Sequence, residues 1–406
     1  MLHPAPDWMK NSLCIPKCMM SSKYIFPAVA AVGLLAGLVF GHFKQKNKPE
    51  NTSDSTHLVQ EQQDIRTDSF SIRLFQDAIN DAAGNTLVAP RIVTQALRDL
   101  QAIAGGVTRE ELNQLKLSTS VEFHKDGPSQ ASLLAVDINV PRSQTPDGMI
   151  VLPFSENFPM ALSMFNGTLA RFAPASNSQY ATSDIASERT KLLGGCVAYH
   201  QMQWAVPFAS SNSQLSDFDC ASGSMPKVMK MRARGMFRTA EAEDGSWKAI
   251  ALFQSLPESN NSLAFIGILP SVSARDFASK LTPEQLSEIR KSLVKAQPED
   301  TLVELPRIRQ YAPAHDMRFS LRRMGLKSMF DPTTADFSAL SDKKIHLGAM
   351  LHACQIFIQE SKSNQPADEH LDEAKTFISF SRPFIWMLGD LTTESPMEFM
   401  GLVEEM

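Results

Sequence analysis

Near the C-terminus, two apolar segments flank a run that cannot bury itself. Met350 to Glu360 reads MLHACQIFIQE, and Thr376 to Phe384 reads TFISFSRPF. Between them lie about fifteen residues of Ser, Lys, Asn, Gln, Pro, Asp and Glu, ending at Lys375. The flanks have the branched and aromatic content of buried strands. The polar middle predicts a long solvated loop strung between two core strands. A chain built this way must keep both strands in its core while holding a bait-like segment in water.

The rest of the 406-residue chain is long enough for that core, with 43% hydrophobic and 20% charged residues. A net charge of −5 gives no basic field for nucleic acid. Five cysteines, Cys14, Cys18, Cys196, Cys220 and Cys354, are too few and too scattered for a disulfide framework. Cys14 and Cys18 lack the second ligand pair of a zinc site, and the nine histidines show no ligand spacing. No metal or cofactor is expected.

Residues 24–43 carry no charge and are rich in Ala, Val, Leu and Gly, with Lys23 before them and Lys44, Lys46 and Lys48 after. Twenty such residues span a bilayer core, and they lack the polar face of a soluble helix. The segment reads as a transmembrane anchor or a signal sequence. A start at Met19 or Met20 would give a short basic leader, and lysines on both sides leave the orientation open. Either reading places the bulk of the chain outside the cytoplasm, membrane-anchored or secreted. Residues 1–23 are then an N-terminal flank, 44–67 a polar linker, and 68–406 one mixed α+β domain.

Inside that domain, Phe70, Ile72, Leu74, Phe75, Ala78 and Ile79 recur at helical spacing, and Gly84-Asn85 ends the helix. A short strand at 86–89 meets a helix opened by Pro90, with Val93, Ala96, Leu97 and Leu100 on one face. Thr108 is expected to cap a further helix, and Thr282 another. Strands are expected at 133–140, 169–172, 196–199, 249–253, 263–269 and 301–305, and a brief helix at 183–193.

Several ordered blocks resemble the serpin family. They are Asn85 to Pro90 with Ala96-Leu97; Trp204 with Pro207-Phe208; Val228, Met231, Gly235 and Phe237; and Ile268-Leu269-Pro270. Glu304-Leu305-Pro306, Ala335 to Ser338, Arg382-Pro383-Phe384 and Phe399-Met400-Gly401 continue the series. The resemblance implies three β-sheets with a large central sheet A, a shell of helices and an exposed reactive-centre loop at about 361–379. It also implies an activity class, inhibition of serine-type endopeptidases. In that class a protease cuts the loop and is held as an acyl-enzyme while the loop inserts as a new strand in sheet A.

The same resemblance assigns residues. The loop hinge falls on Glu360, Ser361, Lys362, Ser363, Asn364, Gln365, Pro366 and Ala367. In place of the family's glycine and small residues stand Lys362, Asn364, Gln365 and Pro366, and Pro has no N–H for a central strand. Period-two alternation from Ser363 would also turn Glu369 inward, at a cost of several kcal/mol. The bait bond falls near Lys375-Thr376 counted from the strand side and near Asp372-Glu373 counted from the Pro-Phe side. Lys375 would suit a trypsin-like protease. The shutter, where sheet A parts, falls on Ala89, Ile92, Cys196 and His352. The stretch from Phe172 to Cys196 is too short for the family's full helix across the front of sheet A, so a truncated helix is expected.

Three functions follow from these features. The first is a serine protease inhibitor. The second is a non-inhibitory, serpin-like binding or structural module on the cell envelope, favoured by the altered hinge, loop length and shutter. The third is an enzyme, for which support is thin. Ser292 and Lys295 satisfy Ser-x-x-Lys, but in a charged helical run without companion motifs. Cys196 with His352 reads as a buried thiol beside a satisfied histidine rather than a nucleophilic dyad. Trp204 reads as a core anchor, Arg232 and Arg234 as a solvated strand edge, and most methionines as core filler.

Overall fold

In a computed structural model of the chain, the described residues are 69–118, 127–142, 145–146, 148–173, 179–255, 263–361, 368–393 and 395–406. The expected flank, membrane segment and linker at 1–67 lie outside them. No helix among the described residues is long and apolar enough to cross a membrane.

The chain opens with helix α1 (69–81), ended at Gly84 with φ 78°. Strand β1 (Thr86–Val88) leads directly into α2 (Pro90–Ile103), where Pro90 occupies the first turn and needs no N–H partner. Helix α3 (Gly106–Gln114) follows, then β2 (Ser129–Asp137) and β3 (Met149–Leu152). Helix α4 (Phe158–Ala170) precedes β4 (Leu192–Gln201), β5 (Gln214–Asp217) and the long β6 (Lys227–Glu241). Strands β7 (Trp247–Phe253) and β8 (Leu263–Pro270) are followed by α5 (Ala274–Lys280) and α6 (Pro283–Lys295). The last third holds β9 (Glu299–Pro306), β10 (Ile308–Asp316), α7 (Arg318–Arg323), β11 (Leu347–Ile358), β12 (Thr376–Ser379), β13 (Phe384–Asp390) and β14 (Phe399–Val403).

These strands form one five-stranded sheet, β10-β11-β4-β2-β3, which is the expected sheet A. The other two sheets share β6. Its first half pairs with β5 and β9, with β12 beyond β9; its last residues pair with β7, followed by β8, β13, β14 and β1. One continuous nine-stranded sheet results, eight strands in a path and β5 beside β6.

The main core lies behind sheet A, around α2. Nine of its residues are buried, Ile92, Val93, Ala96, Leu97 and Leu100 among them. Arg91 in that helix is also buried and meets buried Glu398 at 2.9 Å. Burial pushes the Glu398 carboxyl up to about 7, against the pull of Arg91 and a hydrogen bond from Gln130. A second core lies on the front face under α4, built on Phe154, Phe165 and Leu169. A Cβ at Gly195 in β4 would lie 2.8 Å from Phe165 and 2.9 Å from Leu169, so the glycine sets how closely α4 can approach the sheet.

Four sequence expectations need correction. Residues 169–172 are not a strand: Leu169 and Ala170 are the last turn of α4. Asn157 starts that helix, its side chain accepting from Met160 N–H, and Pro159 sits in the first turn. A four-residue apolar run cannot by itself distinguish strand from helix end. Residues 183–193 form turns rather than a helix and then enter β4 at Leu192. The helix across the front of sheet A is α4 itself, which lies before Phe172 rather than after it. Thr108 is not a cap. The third helix begins at Gly106, and buried Thr108 instead bonds Ser328 Oγ and receives Asp336 N–H.

Gly401 in β14 faces the indole of Trp386, and a Cβ there would sit 2.3 Å from Cε2. Trp386 cannot move freely, because its Nε1–H donates to Gln310 Oε1 in the core. Gly401→Ala is therefore expected to cost about 2 kcal/mol by overpacking. A lowered urea midpoint checks this; an unchanged midpoint would mean that the ring yields.

Candidate functional site: the loop, its hinge and the seam beneath it

Sheet A is closed. Strands β4 and β11 run parallel, with every residue from Met350 to Phe357 in register with Gly194 to Gln201. No loop strand stands between them, and the described loop residues, Ser361 and 368–379, lie outside this sheet.

The residues expected to form the shutter meet at this seam. His352 lies opposite Cys196, with Nδ1 3.4 Å from Sγ. The Ala89 N–H donates to His352 Nε2 at 3.3 Å, which assigns the ring proton to Nδ1. Cys196 in turn reaches the Leu351 carbonyl at 3.5 Å. Ile92 is fully buried beneath them. Burial, helped by nearby His315, pushes His352 down to about 3. Burial, with Asp99 adding to it, pushes the Cys196 thiol far up. A nucleophilic pair needs a thiolate and a basic imidazole. This pair has neither, and the seam is a neutral chain of weak hydrogen bonds.

At the top of β11 the hinge is clamped. Trp204 Nε1–H donates to the Gln359 carbonyl at 2.8 Å, and its ring packs edge-on against Phe208 at 4.9 Å. The next residue, Glu360, takes a fork of bonds from Arg307 at 2.7 to 2.9 Å and one from Ser213 at 2.6 Å. Ser361 N–H then donates to the Phe208 carbonyl. A cavity of about 360 Å³ opens here, lined by Met202, Trp204, Pro207, Glu360 and Ser361 among others. Lys362, Ser363, Asn364, Gln365, Pro366 and Ala367 lie outside the described residues.

The loop returns at Asp368, whose N–H donates to Asn212 Oδ1 at 2.9 Å. Leu371 to Glu373 form a single 3-10 turn, and Leu371 is buried. Both candidate bait bonds are therefore held. Asp372 and Glu373 sit in the turn, with Asp372 paired to Arg232. Lys375 N–H donates to the Asp300 carbonyl, and Thr376 already belongs to β12, in register with Thr301 of β9. Arg232 and Arg234 are thus not a solvated edge. Arg232 pairs with Glu304 at 3.0 Å as well as Asp372. Arg234 holds Asp300 through two bonds of 2.7 Å and donates to the His370 carbonyl at 2.6 Å. Sequence reasoning missed this because the partners lie 66 to 140 residues away. The only local signal was the acidic run in the loop.

The hinge clamp has a pH signature. Partial burial alone would raise the Glu360 carboxyl, but the Arg307 fork and Ser213 outweigh it and hold it below the usual range. A depressed carboxyl contributes stability that is fully present above its unfolded pKa of about 4.3 and lost as pH falls through the lower folded value. Glu360→Gln is expected to cost about 1 kcal/mol at pH 7, since Arg307 is half exposed. The difference from wild type should vanish below about pH 3. Melting curves at both pH values check it; equal losses at both would remove the charge from the explanation.

Comparison with known proteins agrees with this architecture. Residues 179–406, more than half of the chain, match the family model described as serpin (serine protease inhibitor). Plasminogen activator inhibitor 1 of Bos taurus is 25% identical, over 93% of this chain and 99% of that protein. Serpin B5 of Mus musculus is 22% identical, over 82% and 97%. Among solved structures, a crystal structure of maspin superposes with a TM-score of 0.73 at 18% identity, covering 86% of this chain and 99% of that one. Manduca sexta serpin-12 gives 0.71 at 20% identity, covering 84% and 98%. These structures share the fold of this chain. The chain belongs to the serpin family.

Proposed function

We propose that this protein presents residues 361–379 as bait to a serine endopeptidase, in the inhibitor class of its family rather than as an enzyme. The observation that carries this reading is the closed seam between β4 and β11, with the described loop residues outside it. An arrangement with one more strand to gain is what a loop-insertion trap requires. Lys375 directs the bait toward a trypsin-like protease, and Asp372-Glu373 is the alternative bond.

A second reading is favoured by the docked loop. If the bait stays bound to β6 and β9 and the hinge cannot insert, the protein is a non-inhibitory binding or structural module. Lys362, Pro366 and Glu369 oppose insertion by bulk, a missing N–H and charge. The full-length chain, kept in mild detergent and mixed with trypsin-like and elastase-like proteases, separates the two. The inhibitor reading expects a protease-sized shift on denaturing gels and a large rise in melting temperature after nicking. A clean cut between Ser361 and Ser379, with no complex and no thermal gain, would leave only the binding module.

We also propose that residues 24–43 anchor or export the domain, because a charge-free run of that length suits a bilayer core. An anchor expects the full-length chain to stay with membranes through alkaline carbonate washing. Quantitative release would reject anchoring and leave the signal-sequence reading.

A further inference from the structure

The contacts that hold residues 368–375 converge on two side chains of one strand. Arg232 and Arg234 alternate on β6, so both project from the same face. Opposite them on β9 stand Glu304 and Leu302, with Asp300 one step further along that face. The arginines are largely covered, at 14% and 24% side-chain exposure, whereas Asp372 is 77% exposed. The loop turn therefore lies over guanidinium groups that are already oriented by β9 carboxylates. Arg234 donates to the His370 carbonyl at the start of the turn, and Arg232 meets the Asp372 carboxylate in its middle. His370 Nδ1 and Glu373 Oε1, 3.0 Å apart, close the turn on itself. Asp300 binds Arg234 through its side chain and Lys375 N–H through its carbonyl, so one residue joins the arginine to the end of the loop.

A protease needs several consecutive bait residues extended and free of other hydrogen bonds. The turn at 371–373 and the β12 pairing from Thr376 deny it that conformation at both candidate bonds. Building on the bait reading above, we propose that Arg232 and Arg234 form an electrostatic latch. It binds the acidic segment 368–373 of the protein's own loop and withholds the bait until the segment is released.

The latch is testable without any inhibitory complex, through the rate at which the loop is nicked. Full-length protein is treated with lysyl endopeptidase, and cleavage after Lys375 is followed by mass spectrometry. Each rate is divided by that of a free peptide spanning residues 366–380 with the same substitution, which removes any effect on the protease subsites. Asp372 is exposed, so its substitution leaves the fold alone. Asp372→Asn should speed nicking about twofold, and Asp372→Lys, which repels Arg232, about tenfold. Arg234→Gln should give about fivefold through loss of the carbonyl bond. Raising the salt from about 0.05 M to 0.5 M should bring wild type toward Asp372→Asn. Normalised rates that stay within twofold of wild type for both Asp372→Lys and Arg234→Gln would overturn the latch. So would a salt response that is equal in Asp372→Asn and wild type. A latch that opens as described, yet yields no protease complex, would reject the inhibitor reading and leave the latch standing.

Discussion

The seam between β4 and β11 is the constraint on which the rest depends. Two strands far apart in the chain lie parallel and in register, and their union leaves the described loop residues, Ser361 and 368–375, outside sheet A. Beside the backbone ladder, the side-chain bond across the seam's centre is a weak one, between a thiol and a neutral imidazole with no buried charge. That distinguishes it from the core only a few residues away, where Arg91 and Glu398 form a fully buried ion pair. Breaking such a pair strands an uncompensated charge and is costly, whereas parting a thiol from an imidazole strands only weakly polar groups. Among side-chain contacts, those at the seam cost less to part than the buried ion pair of α2.

Around the seam, each end of the loop is fastened by a different set of contacts. The entry is held by Trp204 and the Arg307 fork on Glu360, the exit by Arg234, Asp300 and the β12 pairing. The two sets share no residue. The contacts at the exit can therefore be released without touching those at the entry. This order suits a trap, in which cleavage must precede insertion. It equally suits a module whose loop exchanges between bound and free without touching sheet A.

Much of this was legible in the sequence. Pro90 opening α2, the Thr282 capping box of α6 and the apolar runs of β8 and β11 declare their structure locally. The family motifs supplied what periodicity could not, the connection of those elements into sheets. Short apolar runs failed where their period was undefined: Leu169 to Phe172 suits a strand as well as a helix end, and Asn157, the side chain that decides, lies twelve residues earlier. The site divided the same way. His352, Cys196 and Glu360 were named as candidates because their neighbours in the chain carry a motif. The roles of Arg232, Arg234 and Arg307 were not found, because a guanidinium's partner is chosen by the fold and leaves no mark beside it in the chain.

Strand β6 belongs to two sheets, pairing through Lys230 to Phe237 on the loop side and through Arg238 to Glu241 on the far side. Its arginines receive the loop, and its last residues pair with the first strand of the β7-β8-β13-β14 block. There is no boundary along this path at which one sheet could melt while leaving the other whole. A pull on the loop is thus borne by a single beam running the length of both sheets. Force applied to the described loop residues through the β6 arginines loads a strand shared by both sheets rather than an edge strand.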